Sequence, residues 1–197
     1  MTPTLTTDLI AYNFNVETLN LISRHDFQTQ EFVGQTFMHE LARENDVLSA
    51  EALMNAGCEI DAADDEGRRP LHEAAASGAL DMVKFLTVNG ASVNTAIAPF
   101  GYTALYYAVE RGHADVVRNL LACGASLDAR DRLNGQGLLH IAAQQNNMEI
   151  AGILIAAGID VLAEDTRGQT ARDHAARGNH RSLEGVLKKV MEHHVRH

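Results

Sequence analysis

The chain has no tryptophan and only two cysteines among 197 residues, and 5% of it is aromatic. Each shortage excludes something. Two scattered thiols, Cys58 and Cys123, do not make a disulfide framework in a chain this long. With few aromatics and abundant alanine, the core has to be built from Ala, Leu, Val and Ile, which suits thin layers of closely approaching helices. No apolar run comes near the ~18 residues that a membrane span needs. The first residues, Met1 to Asp8, show neither a basic stretch nor an apolar one, so a cytoplasmic location is expected. Basic residues are in the minority, 16 against 26 acidic, for a formal net charge of -10. Phosphate binding needs a concentrated basic face, so nucleic acid is not the expected partner. The negative charge is compatible with a basic protein partner, but a solvated, soluble surface is the plainer reading.

What the chain does have is a period. Hydrophobic residues make up 46% of it, enough for a continuous core. A ladder of glycines runs Gly34, Gly67, Gly101, Gly135, Gly168, in steps of 33 or 34. A second ladder, 11 residues on, is Asn45, Gly78, Gly112, Asn146, Asn179, and a third is Gly57, Gly90, Gly124, Gly158. Leu53, Leu86, Leu120, Leu154 and Leu187 keep the same phase, as do Ala42, Ala75, Val109, Ala143 and Ala176. Gly and Asn enter the left-handed conformation most easily, so the second ladder marks where one helix ends and the chain reverses. The third ladder does the same after a second helix, and the first lies in an exposed turn.

Each unit therefore reads as turn, short helix, reversal, longer helix, reversal. Pro70 suits a first helical turn, where its missing N–H costs nothing, and Thr103 is placed to cap a helix. Met38, Leu71, Leu105 and Leu139 fill the neighbouring core layer, and Ile60, Val93, Leu127 and Val161 anchor the return segments. One such unit cannot cover its own apolar face; stacking on its neighbours covers it. The fold class expected is an all-α solenoid of stacked helix-turn-helix units joined by short hairpin-like turns. Its parts are a degenerate helical N-cap over 1–30, repeats over 31–63, 64–97, 98–131 and 132–164, and a C-terminal capping repeat and tail over 165–197. Residues 1–30 could also be a short arm that docks elsewhere.

The text from Gly67 to Asn94, GRRPLHEAAASGALDMVKFLTVNGASVN, and from Gly101 to Asp128, GYTALYYAVERGHADVVRNLLACGASLD, resembles the ankyrin repeat family. The resemblance runs from about Glu31 to Lys188. The departures are Thr36-Phe-Met-His39 in the first unit, Gly137-Leu-Leu-His140 in the fourth, and Thr170-Ala-Arg-Asp173 in the fifth. The last puts Arg172 in a leucine slot, as suits a terminal cap facing water. The resemblance implies that His39, His72 and His140 tie adjacent repeats together by hydrogen bonds.

A search for chemistry finds little. His39-Glu40 and His72-Glu73 lack the second histidine of a helical zinc motif, since Arg43 and Ala76 stand there. Units one and three carry Cys58 and Cys123, roughly 20 Å apart if stacked helices sit ~8–10 Å apart, too far to pair. No Ser/His/Asp grouping, phosphate loop or Cys-x-x-Cys stands out, so no enzyme, cofactor or metal is expected. His193 and His197 would share a face of a final helix, but a solvated tail is the plainer reading.

Ankyrin-type solenoids meet their partners through the exposed turns and the exposed face of each first helix. Carried onto this sequence, the resemblance implies a partner-binding surface at Phe32, Val33, Phe100, Tyr102, Glu110, Arg111 and Leu133. Exposed turns have little structural use for large apolar groups, and aromatics and arginine dominate interface hot spots. The alternative is that the aromatics fold back on the helices below. Tyr106 takes the place of the family's histidine, and Tyr107 is expected on the inner face. The function expected is a protein–protein interaction module, an adaptor or scaffold that is monomeric when free; alternatively, a dedicated inhibitor or immunity protein that blocks one enzyme or toxin.

Overall fold

The computed structural model describes residues 30–55 and 57–194. The segment read as an N-cap therefore lies outside the described residues except for Gln30, and so does His197. Among the described residues there are ten α-helices and no strand longer than an isolated bridge. The chain divides into two compact units, residues 1–92 and 93–197.

The first unit holds α1 (Gln30–Glu44), α2 (Val47–Asn55), α3 (Pro70–Ser77) and α4 (Leu80–Val88). Helix α1 packs on α2 and α3, while α4 packs on α3 and α2, so two helix pairs lie side by side. The second unit holds α5 (Ala104–Arg111), α6 (Ala114–Ala122), α7 (Leu138–Gln144), α8 (Met148–Ala156), α9 (Ala171–Arg177) and α10 (Arg181–His194). Here α5, α7 and α9 pack in a row, α6 packs on α8, and α10 packs on α9.

The helix boundaries follow from the residues read above. Pro70 opens α3 behind an extended Arg69, and Thr103 caps α5 by accepting the Tyr106 amide at 3.2 Å. The reversals after the first helices are left-handed at all five ladder positions, with φ of 59° at Asn45, 82° at Gly112 and 56° at Asn146. Asn45 has a second use: its side-chain oxygen accepts the Met82 amide at 2.9 Å, which ties the start of α4 to the preceding pair.

All five ladder leucines are buried, Leu86, Leu120 and Leu154 completely. Met38, Leu71, Leu105 and Leu139 are buried as well. No helix among the described residues is long and apolar enough to cross a membrane.

Two positions depart from the expected pattern. Gly34, read as a turn glycine, lies inside α1 together with Phe32 and Val33. The stretch from Gln30 has no proline and no turn dipeptide, and a lone glycine costs a helix only ~1 kcal/mol. Buried Phe37, Met38, Leu41 and Ala42 fix the helix downstream. At the other end Ala176 is exposed, and Ala175 is the buried alanine of α9. Ala176 lies on α9, the last first-position helix among the described residues. Arg172, in its leucine slot, is half-buried and reaches Glu184 on α10 at 3.3 Å.

Candidate partner-binding surface

Between the second helix of one pair and the first helix of the next, the chain makes a tight hairpin. In the second unit the hairpins close through antiparallel bridges Ile97–Tyr102, Arg130–Gly137 and Glu164–Thr170. They are joined edge to edge by backbone bonds. The Arg132 amide donates to the Phe100 carbonyl at 3.0 Å, and the Thr166 amide donates to the Asn134 carbonyl at 2.9 Å. The tips thus form one continuous rim.

In each unit one of the expected histidines ties a helix to a hairpin. His39 Nε2 meets the Arg68 carbonyl at 2.9 Å, and His140 Nε2 meets the Gln169 carbonyl at 3.0 Å. Each ring reaches from a first helix to the following hairpin. Burial, more than any other influence, lowers the His140 pKa below its ordinary value, and the neighbouring His174 ring adds to the effect.

Beside it, His174 Nε2 meets buried Asp165 at 2.9 Å while its Nδ1 meets the Gln144 amide group at 2.9 Å. Burial works to raise the Asp165 carboxyl. The Gln169 amide, the His174 imidazole and the Arg167 amide outweigh it and hold the carboxyl at about 2.

The repeat that carries α5 is different. Tyr106 stands in the place of His39, His72 and His140, and its ring stacks with that of Tyr102 on the hairpin of its own repeat. Tyr102 stacks on it with centroids 4.4 Å apart, and Phe100 stacks on Tyr102 at 5.4 Å. Tyr107 meets both tyrosines edge-on, at 5.8 and 6.3 Å. Such offset and edge contacts are the favoured aromatic geometries, each worth ~0.5–1.5 kcal/mol.

Tyr106 is buried, Tyr102 and Tyr107 are half-buried, and Phe100 at the outer end is 38% exposed. Burial, and then the charge of Asp131, pushes the Tyr102 hydroxyl above the ordinary phenol range, and burial, and then Tyr102, does the same to Tyr106.

Of the residues singled out in the sequence, five lie in this compact unit. Phe100 and Tyr102 sit on one hairpin and Leu133, 65% exposed, on the tip of the next. Glu110 and Arg111 close the same helix that carries Tyr106 and Tyr107, and they face each other loosely at 3.7 Å. Phe32 and Val33 belong to the other compact unit and lie in helix α1, not in a turn. The aromatics do fold back, as the alternative reading had it, yet the stack still presents an open end at Phe100.

Asp131 went unnoticed in the sequence. Its signal was there: Asp64, Asp131 and Asp165 hold the same place at the base of three hairpins, each a few residues before a ladder glycine. Cys58 is half-buried and Cys123 exposed, and both are free thiols.

A family model described as ankyrin repeats (3 copies) matches residues 9–97 and 105–195. No curated protein matches the chain.

Proposed function

The chain belongs to the ankyrin repeat family, whose members are generally protein–protein interaction modules, and we propose that it is an adaptor holding a partner protein at one rim surface of residues 93–197. Phe100, Tyr102 and Leu133 on two adjoining hairpin tips form the centre of that surface, and Glu110 and Arg111 at the end of α5 border it. The observation that carries this reading is the aromatic stack ending in a 38% exposed Phe100 beside a 65% exposed Leu133. Neither side chain completes the core, and rigid aromatic anchors ringed by polar groups supply most of the binding energy in protein interfaces. Phe32 and Val33, carried by α1, are not part of this centre.

The test isolates a partner by cross-linking and mass spectrometry, then measures its affinity for the wild type and for a variant with Phe100→Ala and Tyr102→Ala. Loss of two hot-spot residues weakens binding by ~2–4 kcal/mol, at least about 30-fold. Unchanged affinity with an unchanged helical spectrum removes the proposal.

A further inference from the structure

The first helices differ in what holds the backbone amide of the cap residue. In α9 the Thr170 amide donates to the Asp173 carboxylate at 2.9 Å. In α7 the cap is Gly137, which has no side chain to offer, and its buried amide donates to His140 Nδ1 at 3.2 Å. The Arg69 cap of α3 uses His72 Nδ1 in the same way, at 3.0 Å. A ring nitrogen that accepts a bond carries no proton. The other nitrogen of His140, Nε2, meets the Gln169 carbonyl at 3.0 Å, and a carbonyl only accepts, so Nε2 bears the hydrogen. Both nitrogens are committed, and the ring is held neutral in one tautomer.

His140 is 2% exposed. A second proton has one place to go, Nδ1, where it meets the Gly137 N–H. The cap amide then loses its acceptor, and a charge stands in a buried place. Swinging the ring outward relieves both, at the loss of the Gln169 bond. Helix α7 thus lets go of two hairpins together: 130–137, which closes at Gly137, and 164–170, which carries Gln169. The first of them has Leu133 at its tip.

Charged and titratable groups reach the ring from several sides. Arg130 on the near hairpin and the His174 ring, 5.4 Å away on α9, oppose a proton. Asp165 favours one, but its carboxylate is engaged by His174 at 2.9 Å. Elsewhere on α9, Arg172 turns to Glu184 and Asp173 to the Thr170 cap. Asp128 and Asp160 border the cleft beside the ring and are exposed to water. On α5, Tyr106 and Tyr107 belong to the aromatic cluster, Arg111 faces Glu110, and Glu110 meets α7 at Gln145, the far end from His140. Glu149, the titratable group of α8, pairs with Arg118 at 2.8 Å. Burial leads these influences, and their sum holds His140 below its ordinary 6.5. The opened ring therefore takes its proton first: the closed form is fully kept above that pH and is lost as pH falls below it.

We propose that His140 is a proton-operated latch on the rim: one proton on Nδ1 frees the Leu133 hairpin from α7, and mild acid thereby loosens the surface that holds the partner. As regulation of that surface it rests on the protein-binding reading above; as an acid-labile hairpin it stands without it.

The test uses the full chain and follows the His140 ring nitrogens, the Gly137 amide and the Leu133 methyls by NMR, from about pH 7.5 to about pH 5, the span in which histidine titrates. The expected result is a ring protonated at Nε2 alone at the upper end. The Gly137 and Leu133 signals then move at the ring's own midpoint, which lies below 6.5. In His140→Asn, whose side-chain oxygen accepts the amide without titrating, the Leu133 methyls should shift at least about 5-fold less. A ring bearing its proton on Nδ1 at the upper end overturns the proposal. So does a hairpin that stays still while the ring titrates, or one that moves as much in His140→Asn. If the variant does not fold, the wild-type midpoints of ring and hairpin decide alone. None of these outcomes touches the Phe100→Ala/Tyr102→Ala result, so the latch and the binding surface fail separately.

Discussion

Replacing Leu120 by alanine separates core from surface most cleanly when Leu133→Ala is measured beside it. Leu120 is 0% exposed on α6, where it stands in the one layer that α6 shares with α5 and α8. Truncation removes about three carbon groups worth ~0.8 kcal/mol each on transfer, or ~2.4 kcal/mol. The flanking helices are held by their own hairpins and histidines, so the site collapses little and a cavity cost is added. The expected loss is therefore ~3–5 kcal/mol.

Leu133 is the same residue type in the same unit, 65% exposed, and its truncation should change stability by less than ~0.5 kcal/mol. Urea unfolding followed by tyrosine fluorescence suits the comparison. The chain lacks tryptophan, and three of its four tyrosines lie in the ring cluster of this unit. A loss below ~1 kcal/mol at Leu120, or one above ~1.5 kcal/mol at Leu133, contradicts the assigned register.

Two further outcomes follow from the hairpin ties. His140→Ala removes the part-buried bond to the Gln169 carbonyl and the buried acceptor of the Gly137 amide; it should cost ~1–3 kcal/mol in thermal or urea unfolding. Asp165, held at about 2 against an ordinary 3.8, gives stability that is complete above pH ~4 and is lost as pH falls toward 2. An acid titration of Asp165→Asn should show a shallower decline in that window, and an unaltered slope counts against the depressed carboxyl.

Much of this structure was legible because repetition multiplies weak signals. A single Gly or Asn says little, but Asn45, Gly78, Gly112, Asn146 and Asn179 in phase mark five reversals, and all five are left-handed. The buried leucine ladder was equally plain, because stacking places each leucine in the same layer.

Phase failed at the first and the last of the five units. Gly34 keeps the spacing of a turn glycine, but α1 runs through it. Ala176 keeps the spacing of a core alanine but faces open space. Pair geometry was also hidden. Tyr106 was visible as the residue in the histidine place, yet nothing local says that its ring leaves the histidine's task and stacks on Tyr102.

The central claim is that the rim at Phe100, Tyr102 and Leu133 is where this ankyrin chain meets its partner. Amide hydrogen exchange of the complex against the free chain tests it most directly. The account predicts new protection at residues 97–107 and 130–137, with α6 and α8 unchanged. Protection confined to the outer helices α6 and α8, with the rim exchanging as freely as before, contradicts it.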